Sequence, residues 1–203
     1  GQETSVRMRF DNHLVGAVLD RLGQDMMLIP DGDSHFTVRA DVENTGAFTG
    51  KETAQLYVSS PDGELKKEYQ ALAAFEKTSA LAPGARETLT LTFDLKDLAS
   101  YRERDNSYVL EAGDYLLRLG NSSRNTMSVG ALILDQEIIV SKHKNICPVK
   151  APFEEMKALP VKGASLPEGI PHIIVDGNSI ETVVYSYHQP EGCRDEKVQS
   201  FLN

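Results

Sequence analysis

The middle of the chain repeats the alternation of apolar and polar positions that is typical of half-buried β-strands. Residues 88–95 place three leucines and a phenylalanine on one side of such a strand, and three threonines and an aspartate on the other. Similar short segments follow one another between residues 36 and 140, with turn-forming residues between them. About seven strands and no long segment of helical period predict an all-β, antiparallel β-sandwich over residues 36–140.

The two ends of the chain differ from this middle part. Residues 1–35 contain short apolar segments, which we interpret as edge strands packed on the sandwich. Residues 141–203 include five prolines between positions 147 and 171, which is typical of an extended connector. A β-hairpin is predicted around Asp176 and Gly177, because an Asp-Gly pair there separates two apolar runs. The last residues have the pattern of the first turns of a helix.

One tyrosine has the spacing of a known structural device. Tyr115 follows Gly113 by two residues and Leu110 by five, which resembles the tyrosine corner of immunoglobulin-like sandwiches. The alternative is an ordinary core tyrosine. Both interpretations give Tyr115 a structural role.

Charge and cysteine content narrow the class of partner. The chain has 30 acidic and 21 basic residues, a net charge of −9, and no basic segment, which argues against nucleic acid and anionic membrane as partners. Its two cysteines are too few for a disulfide framework, and no apolar run is long enough to span a membrane. A cytoplasmic location is therefore expected.

The motifs of common catalytic and cofactor sites are missing from the sequence. It contains no glycine-rich phosphate loop and no Gly-x-Ser-x-Gly elbow. His143, Cys147, His188 and Cys193 could be combined into a zinc site, but the usual Cys-x-x-Cys pair is lacking, so incidental pairs are favoured. Adjacent carboxylates lie in polar stretches, where they would be solvated. We expect no catalytic residue, no metal and no cofactor.

Exposed aromatic rings are the usual sugar contacts of sandwich modules. The chain has no tryptophan. Five tyrosines could form a sugar platform or could instead pack across strands. These candidates are Tyr57, Tyr69, Tyr101, Tyr185 and Tyr187.

Seven short motifs occur in a fixed order along the middle of the chain. They are Asn44-Thr45-Gly46, Gly50-Lys51-Glu52, Gln55-Leu56-Tyr57-Val58, Phe75-Glu76-Lys77, Leu81-Ala82-Pro83-Gly84, Ala112-Gly113-Asp114-Tyr115 and Gly120-Asn121-Ser122-Ser123. Together they make residues 36–130 resemble the fibronectin type III-like domain of glycoside hydrolase family 3 enzymes, chiefly β-glucosidases. The loop over residues 61–77 departs from the common family pattern.

The resemblance implies a non-catalytic accessory domain that positions the catalytic domains of a β-glucosidase. The family's nucleophile and sugar-clamping motifs are not found here, so the chain itself is expected to hydrolyse nothing and to meet carbohydrate only through the parent enzyme. Some members place this domain before the barrel, and residues 141–203 would then connect to a barrel domain. The alternatives are a carbohydrate-binding module that holds polysaccharide near the active site and a free-standing adhesion-type sandwich.

The expected partners are the other domains of the parent enzyme. Leu65, Tyr69, Leu72 and Phe75 are the interface candidates, because they lie in and beside the loop that departs from the family pattern. The alternative is that they fill the sandwich core. The spacing of Leu72 and Phe75 also fits a helix, so this segment is ambiguous between strand and helix.

Overall fold

The computed structural model describes residues 34–145 and 166–185 in full, and the backbone of three earlier strands within residues 5–30. The described part is almost entirely β-structure with three short 3₁₀ helices and no α-helix. It contains no helix long and apolar enough to cross a membrane.

Fourteen strands are described, and their bounds follow in chain order. They are β1 (Ser5–Phe10), β2 (Ala17–Leu22), β3 (Leu28–Pro30), β4 (His35–Asn44), β5 (Thr53–Ser59), β6 (Ala71–Lys77), β7 (Arg86–Asp94), β8 (Ser100–Arg102), β9 (Ser107–Leu110), β10 (Gly113–Ser122), β11 (Asn125–Leu134), β12 (Ile138–Lys142), β13 (His172–Val175) and β14 (Val183–Val184). The 3₁₀ helices are Leu95–Leu98, Glu103–Asp105 and Gly177–Ser179.

The strands form three sheets. In the first, β4 pairs with β7 along one side and with β1 and β3 along the other, and β2 pairs with β1. The second has the order β13-β11-β10-β5-β6, and the third has the order β14-β12-β9-β8. Most neighbouring strands are antiparallel, as expected for a sandwich.

The first two sheets face each other across one apolar core. The alternating side chains of β4 and β7 meet those of β5, β10 and β11 in a single buried cluster. In β7 the buried residues are Leu89, Leu91 and Phe93, which confirms the alternation in the sequence. Truncating one of the fully buried leucines to alanine is expected to cost about 2–5 kcal/mol. The predicted antiparallel β-sandwich is therefore confirmed.

A buried asparagine closes one end of the sandwich. The Nδ2 group of Asn44 donates to the carbonyls of Phe48 and Leu81 at 2.8 and 2.7 Å, and its Oδ1 accepts from the Gly46 amide at 2.9 Å. Its main chain pairs with the turn that contains Gly84, whose φ of 76° is readily adopted only by glycine. The Asn-Thr-Gly and Pro-Gly motifs thus belong to the same hydrogen-bonded end of the sandwich.

The hairpin predicted around Asp176 and Gly177 is wrong. The strand β13 pairs in parallel with β11, whereas β14 pairs in parallel with β12, so the two strands belong to different sheets. The Asp176 carboxylate accepts from the Asn178 amide at 3.0 Å and caps a 3₁₀ helix instead of a hairpin turn. Gly177 lacks the positive φ that a tight type I′ turn requires. The predicted proline-rich connector and terminal helix fall largely outside the described residues.

The tyrosine corner is confirmed by its hydrogen bond. The Tyr115 hydroxyl donates to the main-chain carbonyl of Glu111 at 2.9 Å, and the ring is almost completely buried. Burial, together with the negative charge of Glu111, raises the pKa of the Tyr115 hydroxyl, so the group stays a neutral donor. The bond fixes the chain where it enters β10.

Replacing this tyrosine tests the corner directly. We predict that Tyr115→Phe lowers the free energy of unfolding by about 1–2 kcal/mol, because a buried carbonyl loses its donor while the ring remains. Urea denaturation measures the change. Tyr108→Phe, at a partly exposed ring, is the control and is expected to stay within about 0.5 kcal/mol of the wild type. Equal stability of Tyr115→Phe and wild type would show that the bond contributes nothing.

Candidate functional site

Three of the four interface candidates lie on the surface. Tyr69, Leu72 and Phe75 are 44%, 50% and 66% exposed, so they do not fill the sandwich core, and Leu65 is half-buried in the loop before them. Leu72 and Phe75 belong to β6, which is an edge strand of the second sheet. Their role as an interface stays a prediction.

An extra residue in β6 places the two apolar side chains on the same side of the sheet. Leu72 lies opposite Tyr57 and Phe75 lies opposite Gln55, with a register shift between these pairs. Residues three apart in a regular strand point to opposite faces, but a bulge at Ala73 restores them to one face. This geometry explains why the segment has helical spacing although it is a strand.

Arg118 of β10 lies at the centre of the same face. It is directly opposite Tyr57, and its guanidinium lies 5.4 Å from the centre of the Tyr69 ring. Its Nε group donates to the Thr126 hydroxyl at 3.1 Å, which holds it against the sheet. We call Tyr69, Leu72, Phe75 and Arg118 the β6 patch. Aromatic residues and arginine are enriched at the energetic centres of protein interfaces.

The chain itself covers the neighbouring part of this face. Leu116 of β10 and Ala131 of β11 pack against Ile170 and Leu166 of the segment before β13, in a small apolar cluster separate from the main core. The face is therefore built for apolar contact. None of the described residues covers the half of this face that β6 forms.

The loop that leads into the β6 patch is anchored by a buried ion pair. The Glu111 carboxylate accepts from the amide of Glu64 at 2.6 Å and from that of Leu65 at 3.3 Å. It also accepts from the ammonium of Lys67, which donates further to the carbonyls of Pro61 and Leu65, both at 3.2 Å. Both charged side chains are about nine-tenths buried.

The Glu111 carboxylate fills the space beside Gly63 and is held in its ionised form. A Cβ atom added at Gly63 would lie 2.5 Å from its Oε1 atom, so a larger residue there would push the carboxylate away from its donors. Burial alone would raise the pKa of Glu111, but the hydrogen bonds from Lys67 and from the amides of Glu64 and Leu65 outweigh it and lower the pKa. Glu111 is therefore ionised in the folded chain at neutral pH.

A second ion-pair network borders the loop. Arg102 donates to both carboxylate oxygens of Asp105 at 2.9 Å and to Glu137 at 2.7 Å. These bonds from Arg102 and one from Ser107 lower the pKa of Asp105 to about 2, against the effect of burial. Among the described residues, the carboxylates with a shifted pKa are Asp105 and Glu111, and both hold structural positions and favour the ionised form.

An open cleft of about 420 Å³ lies between the loop and the third sheet. An exposed ion pair of Glu64 and Arg104, 2.6 Å between Oε1 and Nη1, joins its two walls. The cleft therefore suits contact with another surface better than chemistry on a substrate.

The candidate metal ligands are only partly described. His143 is hydrogen bonded through Nε2 to the Ser141 hydroxyl at 2.8 Å. Cys147, His188 and Cys193 lie outside the described residues. Within the described part, no group of three or more histidine, cysteine, aspartate or glutamate side chains could hold a metal ion.

The candidate sugar-binding tyrosines separate into different environments. Tyr57 is buried, and its hydroxyl donates to Gln55 at 2.6 Å. Tyr69 belongs to the β6 patch, while Tyr101 and Tyr185 lie in a row of rings on the third sheet. Tyr187 lies outside the described residues. Arg118 and Glu111 carry no local signal in the sequence, because Tyr69 and Lys67, which they contact, are more than 40 residues away along the chain.

Comparison with known proteins identifies the domain. A family model described as "Fibronectin type III-like domain" matches residues 52–123, from the start of β5 to the end of β10. Residues 52–123 of this chain are therefore similar to fibronectin type III-like domains. The matched region includes the β6 patch, Glu111 and Tyr115, so the anchored loop is part of the domain.

The relatives of the domain are β-glucosidases. A β-glucosidase of Ruminococcus albus is 32% identical over 129 residues, which is 61% of this chain and 14% of that protein. The solved structure of a β-glucosidase from Paenibacillus barengoltzii is 38% identical with a TM-score of 0.55, covering 59% of this chain and 14% of that one. The structure of β-glucosidase 3B from Thermotoga neapolitana with α-D-glucose is 34% identical with a TM-score of 0.50, covering 66% and 16%.

These comparisons confirm the resemblance to the fibronectin type III-like domain of family 3 β-glucosidases. The resemblance covers only a small part of these enzymes, because the chain spans about 14% of the length of the first curated relatives.

The lowered pKa of Glu111 makes stability dependent on pH. A carboxylate with a lowered native pKa stabilises the fold above its ordinary pKa of about 4.3, and this contribution is lost as the pH falls through the native value. We predict that Glu111→Gln is less stable than the wild type by about 3 kcal/mol at pH 7, because Lys67 is left buried without its counter-charge. The gap should shrink on acidification.

Urea denaturation of both proteins between pH 7 and pH 3 measures this gap. Asp105 titrates in both proteins, so its contribution cancels in the difference. A gap that stays constant over the whole range would contradict the ionised Glu111 anchor.

Proposed function

We propose that this chain is a non-catalytic accessory part of a β-glucosidase-type glycosidase, and that its β6 patch docks on another domain of the same protein. The observation that carries the proposal is that Leu72 and Phe75 are exposed on the same face on which Arg118 contacts the Tyr69 ring, a face that the chain covers elsewhere with its own apolar residues. Docking would fix the position of the catalytic domains relative to each other.

The electrostatics of the domain support a non-catalytic role. A glycosidase of the common type needs one carboxylic acid with a raised pKa as its general acid, placed across the substrate from a second carboxylate. The pKa values of Asp105 and Glu111 are shifted in the opposite direction, and both side chains are committed to ion pairs. Neither can serve as that acid.

The relatives support a partner within the same polypeptide. The domain covers 14% of the Ruminococcus albus β-glucosidase, so most of that enzyme lies outside the shared part. Contacts between domains of one chain are commonly modest in area and more polar than obligate interfaces. A small patch that combines Leu72 and Phe75 with a tyrosine and an arginine has that character.

Apolar burial would contribute to such a contact. Complete burial of a fully exposed leucine or phenylalanine side chain is worth about 1.5–3 kcal/mol, so covering the exposed half of Leu72 and two thirds of Phe75 would contribute roughly 2–3 kcal/mol towards the entropy lost on docking. Accurate docking matters for catalysis, because a displacement of about 1 Å can cost roughly a hundredfold in rate.

Replacing Phe75 separates docking from folding. We predict that Phe75→Thr leaves the stability of this chain within about 0.5 kcal/mol of the wild type, because the side chain is 66% exposed and threonine suits a strand. In the complete protein that contains this chain, the same substitution should lower the rate of aryl β-glucoside hydrolysis about tenfold, because the docking contact is lost. Steady-state kinetics and thermal unfolding of both proteins provide the measurements.

A residue at the opposite edge of the same sheet provides the matched control. Ile174 of β13 is 69% exposed, and Ile174→Thr should leave the hydrolysis rate within about twofold. If Phe75→Thr and Ile174→Thr behave alike in the complete protein, the β6 patch is not a docking surface.

A further inference from the structure

A row of four aromatic side chains runs across the third sheet, away from the β6 patch. Tyr101 of β8 and Tyr108 of β9 have ring centres 5.2 Å apart, and the ring of His143, just after β12, lies 5.3 Å from that of Tyr108. The ring of Tyr185, just after β14, stacks on His143 at 4.7 Å. Two of the rings belong to strands of the sheet, and the other two follow directly after strands. We call Tyr101, Tyr108, His143 and Tyr185 the aromatic row.

The aromatic row lies on the side of the third sheet that faces the core, but at a place where the sandwich no longer covers that side. Tyr101 lies directly opposite Tyr108, so the two side chains share a side. Tyr108 precedes the buried Leu110 by two residues, and alternate residues of a strand point the same way. The tyrosines of the row are nevertheless 40–58% exposed. They form an open shelf at the end of the core.

Hydrogen bonds hold the rings in place. The Tyr101 hydroxyl donates to the Asn106 side chain at 3.1 Å, and His143 is bonded to the Ser141 hydroxyl. The main-chain amide of His143 donates to the Asn106 carbonyl at 2.8 Å, and that of Tyr185 donates to the Lys142 carbonyl at 2.9 Å. The shelf is therefore largely formed before any ligand arrives, which lowers the entropy cost of binding.

We propose that the aromatic row binds the pyranose rings of a neutral, soluble oligosaccharide lying across the strands. The apolar C–H faces of a pyranose pack on aromatic rings, while its hydroxyls need hydrogen-bonding groups beside the rings. The tyrosine hydroxyls and the Asn106 side chain, which is bonded to Tyr101, are such groups. A mostly apolar surface with a few placed polar groups is the usual composition of small-ligand sites.

The geometry also selects the form of the carbohydrate. Neighbouring rings are tilted by 56° between Tyr101 and Tyr108 and by 74° between Tyr108 and His143. A flat crystalline polysaccharide cannot contact rings at such angles, whereas a soluble chain can turn between sugar units. The β6 patch also contains two aromatic rings, those of Tyr69 and Phe75, but the Arg118 guanidinium lies over the Tyr69 ring and Leu72 is aliphatic, a mixture that suits a protein surface. The inference goes beyond the proposed docking role, and it departs from the expectation that carbohydrate is met only through the parent enzyme.

Titration of this chain with cellotetraose, laminaritetraose and xylotetraose tests the proposal. We expect at least one of them to bind, and Tyr185→Ala and Tyr101→Ala to weaken that binding about tenfold each, which corresponds to about 1.4 kcal/mol. Tyr185→Phe keeps the ring and should keep most of the affinity. Tyr69→Ala removes a tyrosine of similar exposure from the β6 patch and should change nothing. Thermal unfolding of each variant checks that the fold is retained.

Several results would overturn the inference. They are no binding of any of the three sugars, unchanged binding in the Tyr101→Ala/Tyr185→Ala double variant, and binding to crystalline cellulose alone. If none of the sugars binds and the Tyr101→Ala/Tyr185→Ala double variant of the complete protein loses hydrolytic activity, the row is a protein interface instead. Phe75→Thr should not affect the titration, so failure of the docking proposal and failure of this one can be distinguished.

Discussion

Glu111 is bonded at both its main-chain and its side-chain end, and the exposed loop depends on it. Its carbonyl accepts the Tyr115 hydroxyl, which ties it to the core, and its carboxylate accepts from two loop amides and from Lys67. A carboxylate buried to this degree is costly unless it is fully paired. The loop must therefore adopt the one path that brings these donors to it, and Gly63 leaves the space for the carboxylate.

The two surfaces of the domain follow from this fixed scaffold. The anchored loop delivers Tyr69 to Arg118, and the bulge at Ala73 turns Leu72 and Phe75 to the same face. The aromatic row arises separately, where the third sheet extends past the covered core. The β6 patch mixes two aromatic rings with an aliphatic side chain and a guanidinium and suits a protein domain, whereas the aromatic row consists of aromatic rings alone and suits a sugar.

Local patterns in the sequence predicted the sandwich and the tyrosine corner, because alternation and short spacing are local signals. The bulge in β6 could not be predicted, since one extra residue turns strand alternation into helix-like spacing. The hairpin prediction was wrong because the carboxylate of Asp176 caps a 3₁₀ helix, and this capping competes with the formation of a hairpin turn. The pairing of Lys67 with Glu111 joins residues 44 apart, and only the fold brings them together. The aromatic row depends in the same way on strand pairing.

Hydrogen exchange at the amides of Glu64 and Leu65 tests the Glu111 anchor most directly. Both amides lie in a loop outside any strand, and their protection depends on the carboxylate that they donate to. The account predicts slow exchange of both amides in the wild-type chain at pH 7 and fast exchange in Glu111→Gln, with the β10 amides of Leu117 and Leu119 still protected. Equal exchange of the two loop amides in both proteins would contradict it.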